Sequence, residues 1–208
     1  MSPVELAQVD GLPLHSRTPP EWARAVLADP IGLLIDHAFL EKKAAANAME
    51  LLTRWPGDGV DGWVETMTSV ARDEAAHLAQ VSRILLARGG RLNRGHTNPY
   101  AKSLRLLVRK GDSDEILDRL FVSALIEVRS CERFAVLATA ASADPELAAL
   151  YRGLFLSEFG HYKVFLALAR KISQPAAVEA RWQQMLAAEA RILAEQAPGP
   201  RIHSGHLT

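Results

Sequence analysis

The sequence predicts an all-α protein, a bundle of four long helices with additional short helices around it. Three observations carry that expectation. Long Ala- and Leu-rich segments are separated by short Pro- and Gly-rich turns. Within those segments apolar residues recur in alternating steps of four and three, the seam of a helix bundle. No segment reads as a strand. The chain has 208 residues, a size that one domain can fill, and its 49% apolar content is enough for a sizeable core.

Taken in order, residues 1–20 carry Pro3, Pro13, Pro19 and Pro20 and read as an extended arm. A short helix is expected from near Glu21 to just before Pro30. The first long helix runs from about Ile31 to Trp55 and stops at Pro56-Gly57-Asp58-Gly59. The second runs from about Asp61 to Arg88 and stops at Gly89-Gly90. A loop follows, then a short amphipathic stretch from Ala101 to Lys110. The third long helix begins at Asp112 or Ser113, where Asp112 and Glu115 have capping-box spacing, and ends near Ser142. Asp144 and Pro145 supply an N-cap and a first-turn proline for the fourth, which ends near Ser173. A fifth helix opens at Pro175 and reaches about Glu195. The expected organisation is an arm over 1–20, a helical domain over 21–196 and a flexible tail over 197–208, with His203 and His206 solvated.

Lys+Arg and Asp+Glu both number 24, so whole-chain charge points to no polyanionic partner. The single cysteine, Cys131, excludes a disulfide within the chain, disfavours a thiolate metal site, and reads most simply as a small buried residue. The first residues lack a basic region followed by an apolar run, and no stretch approaches 18 uninterrupted apolar residues. A soluble, cytoplasmic protein with no membrane contact is the expectation.

The chemistry lies in two motifs, Glu74-Ala-Ala-His77 and Glu158-Phe-Gly-His161. Each puts a carboxylate and an imidazole on one face of a helix. Both fall on an apolar seam: Trp63, Met67, Val70, Glu74, His77, Val81 and Ile84 in one helix, and Leu147, Tyr151, Leu154, Glu158, His161, Phe165 and Leu168 in the other. The preceding helix of each pair adds a seam glutamate, Glu41 and Glu127. The chain therefore reads as two helical hairpins, each of the form Glu…Glu-x-x-His. Ionisable groups pointed into one core cost several kcal/mol without compensation, and a bound cation is the usual remedy. Four Glu and two His in this distribution are the ligand set of di-iron and di-manganese carboxylate bundles. Glu74 and Glu158 are the expected bridging pair, Glu41 and Glu127 the terminal carboxylates. The ligand chemistry alone suits iron and manganese equally.

Other assignments stay open at this point. Glu132 competes with Glu127, although it lies about 140° around the helix. His37, one turn before Glu41, reads as a satisfied core histidine or as a partner behind a ligand. Asp73 could accept the outer N–H of a metal-bound imidazole, or be an ordinary solvated aspartate. Tyr162 reads as a packing residue. Between Arg83 and Gly111 there is no acidic residue, and the run holds Arg83, Arg88, Arg91, Arg94, Lys102, Arg105, Arg109 and Lys110. Such a connector can bind phosphates, with His96, Asn98 and Tyr100 interleaved, or can simply be a solvated link. The candidate nucleic-acid contacts are Arg88, Arg91, Arg94, Lys102, Arg105, Arg109 and Lys110.

The stretches LIDHAFLEKKAAANAMELL, ARDEAAHLAQV, LNRGHTNPYA, LIEVRSCERFAVLA and SEFGHYKVFLALA, from about Leu33 to Ile172, resemble a known family. It is that of the bacterial tRNA hydroxylases acting on 2-methylthio-N6-isopentenyladenosine beside the anticodon. The resemblance implies a ferritin-like fold, a nonheme di-iron centre and O2-dependent hydroxylation of the isopentenyl group at tRNA position 37. It implies Glu41, Glu74, His77, Glu127, Glu158 and His161 as ligands, O2 as co-substrate, and an external electron donor. The competing readings are a ferritin-like iron-storage or peroxide-reducing protein, and a metal-stabilised binding protein without turnover.

Overall fold

The computed structural model describes residues 2–56 and 59–206 of the chain. Proline sets most of the helix starts. Its missing N–H falls where an N–H has no intrahelical partner, and its fixed φ suits the first turn. α1 (Pro3–Asp10), α2 (Pro20–Leu27), α3 (Pro30–Leu51), α5 (Pro99–Arg105), α7 (Pro145–Ile172) and α8 (Pro175–Ala194) all open on one. α4 (Trp63–Ala87) and α6 (Asp112–Ala140) instead follow Gly62 and Gly111, both at positive φ. The described residues contain helices and no strand, as the sequence predicts. The fold is ferritin-like.

α3 packs along α4 and α6 along α7, giving two hairpins, and α4 meets α7 across the bundle. The seams face inward. Trp63, Met67, Val70, Glu74, Val81 and Ile84 are buried in α4, and all seven seam residues of α7 are buried. Trp63 Nε1 donates to the Leu51 carbonyl at 2.9 Å, closing the α3–α4 connection and satisfying a carbonyl at the end of α3. Asp144 caps α7 as expected, accepting from Leu147 N at 3.1 Å. α2, α5 and α8 cover the outer side of α6. Arg129, fully buried on α6, grips Glu189 of α8 through two nitrogens at 2.8 and 2.9 Å. Its third nitrogen reaches Glu132 at 3.1 Å.

The structure departs from the sequence reading at three places. The expected extended arm contains α1, and Ser2 and Glu5 form a capping box at its start. Pro3, read as a breaker, occupies the first helical position, where proline is favoured. Further along, Leu12 and Leu14 are buried, and the Thr18 N–H and hydroxyl donate to Glu132 at 2.7 and 2.6 Å.

The capping box expected from Asp112 and Glu115 is not the one formed. Gly111 holds the cap position, and Glu115 accepts from Arg119 at 2.8 Å instead.

The tail expected to be flexible packs through position 204, where Ile202, His203 and Ser204 are buried. Asp36 accepts from Ile202 N at 2.8 Å, and Arg133 donates to the Ile202 carbonyl. Trp22 Nε1 donates to Ser204 Oγ at 3.0 Å. His203 stacks on Tyr100, with ring centroids 4.5 Å apart, and is not solvated, whereas His206 is exposed. Gly57 and Asp58 of the expected turn, and residues 207–208 of the expected tail, lie outside the described residues.

Candidate metal centre

Four helices each contribute one carboxylate to a single point in the core. Glu41 comes from α3, Glu74 from α4, Glu127 from α6 and Glu158 from α7, all buried. The two imidazoles reach across the bundle. His77 Nδ1 on α4 lies 3.2 Å from Glu158 Oε1 on α7, and His161 Nδ1 on α7 lies 2.7 Å from Glu74 Oε1 on α4. His77 Nδ1 also lies 3.6 Å from both Glu41 and Glu74, and His161 Nδ1 lies 3.0 Å from Glu158 Oε2. The donor atoms form two sets, each lying within 4.8 Å of one another. One is Glu41, Glu74, His77 and Glu158; the other is Glu74, Glu127, Glu158 and His161. Glu74 and Glu158 belong to both. The six residues expected from the helical seams are thus brought together, and the pair expected to bridge is the shared pair.

Several of these atoms are close without being bonded. Glu74 Oε1, Glu158 Oε1 and His77 Nδ1 are buried with no hydrogen-bond partner. Leaving such groups unpaired in the interior costs several kcal/mol, so their convergence fits atoms that share a cation. Charge agrees, since four carboxylates balance two divalent ions. The electrostatics agree as well. Burial, then the Glu158 charge, pushes the Glu74 carboxyl up to about 8. Burial raises Glu41, and burial with Glu74 and Glu158 raises Glu127 well above the usual carboxylate range. Burial opposes charge on His77, but the facing Glu158, Glu41 and Glu74 outweigh it and push the imidazole up to about 12. His161 rises to about 10, where Glu158 and Glu74 likewise overcome burial. Glu158 itself is held low against its burial by the imidazoles of His161 and His77 that face it. Protons therefore neutralise the cluster when no metal does. The donor set fits a pair of divalent ions.

Glu132, the competitor of Glu127, faces elsewhere: its oxygens take Thr18 and Arg129. His37 Nε2 hydrogen-bonds Glu41 Oε1 at 2.6 Å, and its ring packs against Phe134 and Tyr151, which also pack against each other. Burial pushes its imidazole down to about 4, so it stays neutral and orients Glu41. Asp73 Oδ2 stands 3.7 Å from His161 Nε2, beyond hydrogen-bond reach, while Oδ1 takes Arg72. Cys131 is buried, and Tyr162 is buried with its ring edge against Phe159.

A cavity of about 590 Å³ opens between α3, α5 and α6, and Glu127 forms part of its lining. A void of about 20 Å³ beyond it, against Glu41, Glu74 and Glu158, shares Leu40, Ala44, Ile126 and Glu127 as walls. The large cavity thus leads to the carboxylates.

A family model described as tRNA-(ms2io6A)-hydroxylase (MiaE) matches residues 5–204. The chain belongs to this family. It is similar to a tRNA 2-(methylsulfanyl)-N6-isopentenyladenosine(37) hydroxylase of Pseudomonas putida, 38% identical over 188 residues, 90% of each chain. A protein of the same name from Salmonella typhimurium is 29% identical over 92% of this chain and 87% of its own. Among solved structures, a Synechococcus protein with aldehyde deformylating oxygenase activity superposes with a TM-score of 0.86 at 33% identity. That likeness covers 94% of this chain and 97% of the other.

In this hydroxylase the basic connector divides in two. Arg88 is engaged by Asp144 at 2.6 and 2.9 Å and by Glu146 at 2.8 Å, and Arg109 by Asp118 and Asp114. Their charge is already matched within the chain. Arg91, Arg94, Lys102, Arg105 and Lys110 are exposed, and none makes an ion pair among the described residues. Lys102 and Arg105 line the cavity mouth. Lys43, which the sequence reading passed over, lines it too. A lysine on a predicted bundle helix carries no local sign that a loop histidine 53 positions away will fix it. Among the described residues no helix is long and apolar enough to cross a membrane.

Proposed function

We propose that the chain holds two iron ions on Glu41, Glu74, His77, Glu127, Glu158 and His161. On this reading it hydroxylates the isopentenyl side chain of 2-methylthio-N6-isopentenyladenosine at position 37 of tRNA, with O2 as co-substrate. The observation that carries the reading is the pair of donor sets sharing Glu74 and Glu158, open to a nucleoside-sized cavity through Glu127. When bound, the iron pair supplies the electrons that let O2 attack a C–H bond no side chain can oxidise, and an external donor replaces them.

The chain's own residues bind, orient and exclude. Glu74 and Glu158 would serve both ions, Glu41 with His77 and Glu127 with His161 would each serve one, and His37 fixes the Glu41 carboxylate through its 2.6 Å hydrogen bond. Leu40, Ala44 and Ile126, the walls shared by cavity and void, take the apolar prenyl group and keep bulk water from the carboxylates. The small void has room for about one water-sized molecule beside the carboxylates. The cationic mouth meets the phosphates that flank the nucleotide, which offsets part of the cost of unstacking the base. Lys102 and Arg105 serve there, and Arg91, Arg94 and Lys110 extend the contact along the surface. A tRNA substrate places the protein in the cytoplasm. An iron store has no use for a cavity of this size against Glu127, and the family model and both named relatives are hydroxylases.

The test is mass analysis of tRNA nucleosides after incubation with iron-loaded protein, O2 and a chemical reductant. The expected result is conversion of the isopentenyl nucleoside to a product heavier by one oxygen atom. Reduced, iron-loaded protein that consumes O2 and leaves the nucleoside unchanged overturns the reading.

A further inference from the structure

Lys43 reaches the cavity from α3, and no carboxylate pairs with it among the described residues. Its Nζ lies 2.8 Å from His96 Nδ1 and donates to the His96 carbonyl at 3.2 Å. His96 Nε2 stands 2.7 Å from Asp36 Oδ1. An ionised carboxylate can only accept, which puts the imidazole proton on Nε2 and leaves Nδ1 as acceptor for the ammonium. Phe39 fixes the ring from one face, stacked at 5.0 Å with the planes 5° apart. The second Asp36 oxygen is taken by Ile202 N at 2.8 Å. The buried carboxylate, the stacked imidazole and the docked C-terminal segment thus fix one lysine on the wall of a cavity.

An ammonium has three N–H bonds. His96 occupies two, and the third is left for whatever enters. Lys102 and Arg105, both exposed, stand on the same lining, so three cations mark its outer side, while the buried Val122, Ser123 and Glu127 lie on its inner side. A ligand matching that gradient carries an anion at one end and an apolar group at the other. A nucleotide with a prenylated base has that distribution of charge.

We propose that Lys43, held by His96 and Asp36, takes a backbone phosphate of the substrate adjacent to the modified nucleotide. The proposal rests on the tRNA reading above. His96 is a positioning residue, acting only through Lys43.

The test is equilibrium binding to anaerobic, iron-loaded protein, so that no turnover is needed. The probes are an anticodon stem-loop carrying the isopentenyl adenosine, the matching nucleoside 5′-monophosphate, and the free nucleoside. Lys43→Ala and Lys43→Gln should each weaken the stem-loop and the monophosphate by about tenfold or more, the range of a charge-assisted contact. The nucleoside should lose at least about threefold less. The salt dependence of stem-loop binding should fall by about 0.7 in log–log slope, one phosphate contact on a single strand. Lys43→Arg should recover most of the affinity. His96→Gln keeps the charge, so it should weaken stem-loop binding less than Lys43→Ala does and leave the salt slope unchanged. Added to Lys43→Ala, it should cause no further loss, because it acts through a lysine already gone. Lys42→Ala, one residue away and exposed, controls for charge alone and should lose less than Lys43→Ala.

Equal losses on all three probes would mean a packing role and overturn the proposal, as would stem-loop binding by Lys43→Ala equal to the parent's. A parent protein that binds none of the probes overturns the tRNA reading itself. A parent that binds the stem-loop while the lysine variants bind equally well overturns only the role of Lys43.

Discussion

His77 Nδ1 and Glu158 Oε1 stand 3.2 Å apart across the bundle, one on α4 and the other on α7, and no hydrogen bond joins them. Two buried polar atoms at that distance, each without a partner, are placed for a third body between them. That relationship frames the first expectation. Anaerobic reconstitution should load two iron ions per chain, measured by metal analysis. Glu74→Ala and Glu158→Ala, which remove a residue common to both donor sets, should lose both ions. Glu41→Ala should lose one. A saturating stoichiometry of one in the parent defeats the six-ligand assignment.

The two neighbouring acids of α6 have separable roles. Glu127→Ala should lose iron and hydroxylation together, with little change in the unfolding midpoint of the metal-free protein. Glu132→Ala should keep its iron. It leaves the Thr18 donors unpaired and strips one partner from the buried Arg129, so stability should fall by about 3 kcal/mol in a denaturant titration. Iron loss in Glu132→Ala with retention in Glu127→Ala would reverse the assignment.

Charge reversal of Arg91, Arg94 and Arg105 together should weaken tRNA binding by at least about a hundredfold near physiological salt. It should leave the iron stoichiometry at its parental value, because none of the three lies on a ligand seam. Parental binding should itself weaken steeply as salt is raised. Equal affinities for parent and variant, without salt dependence, would remove the connector from recognition.

His203 supplies a pH dependence. Burial, then the charges of Arg133 and Arg129, holds its imidazole well below 6.5 in the folded protein. The unfolded chain binds that proton near 6.5, so below this value the unfolded state carries more protons than the folded one. Stability from this group is full above about 6.5. As pH falls further it is lost at about 1.4 kcal/mol per unit, until the folded value is reached. Thermal or denaturant unfolding of the metal-free protein between pH 7 and pH 5 should show this slope, and His203→Asn should flatten it. An unaltered slope in the variant would assign the effect to another group.

The bundle and the six-residue cluster were legible because their signals repeat. Each seam runs over several turns with a fixed step, so Glu74 and His77 announce themselves as polar residues on an apolar stripe, and Glu158 and His161 do the same a hairpin later. The features that escaped have no period. Asp36 meets His96 across 60 positions and Ile202 across 166, and no local pattern marks either pairing. The burial of His203 depends on Tyr100 and Ser130, from two separate elements. α1 was a different case. Its signal, Ser2-Pro3-Val4-Glu5, is local, and Pro3 stands at the first helical position, the one that proline favours, in a segment whose other prolines read as extended chain.

The docking of Ile202 on Asp36 also orders events during synthesis. The ribosome emits α3 through α7 before residues 202–204, so both hairpins and all six residues of the cluster can assemble while the C-terminal segment is still in the exit tunnel. Asp36 then lacks the Ile202 N–H, and the His96–Lys43 side of the cavity has yet to be braced. A nascent chain thus braces the Lys43 side of the cavity only after residue 202 has left the tunnel.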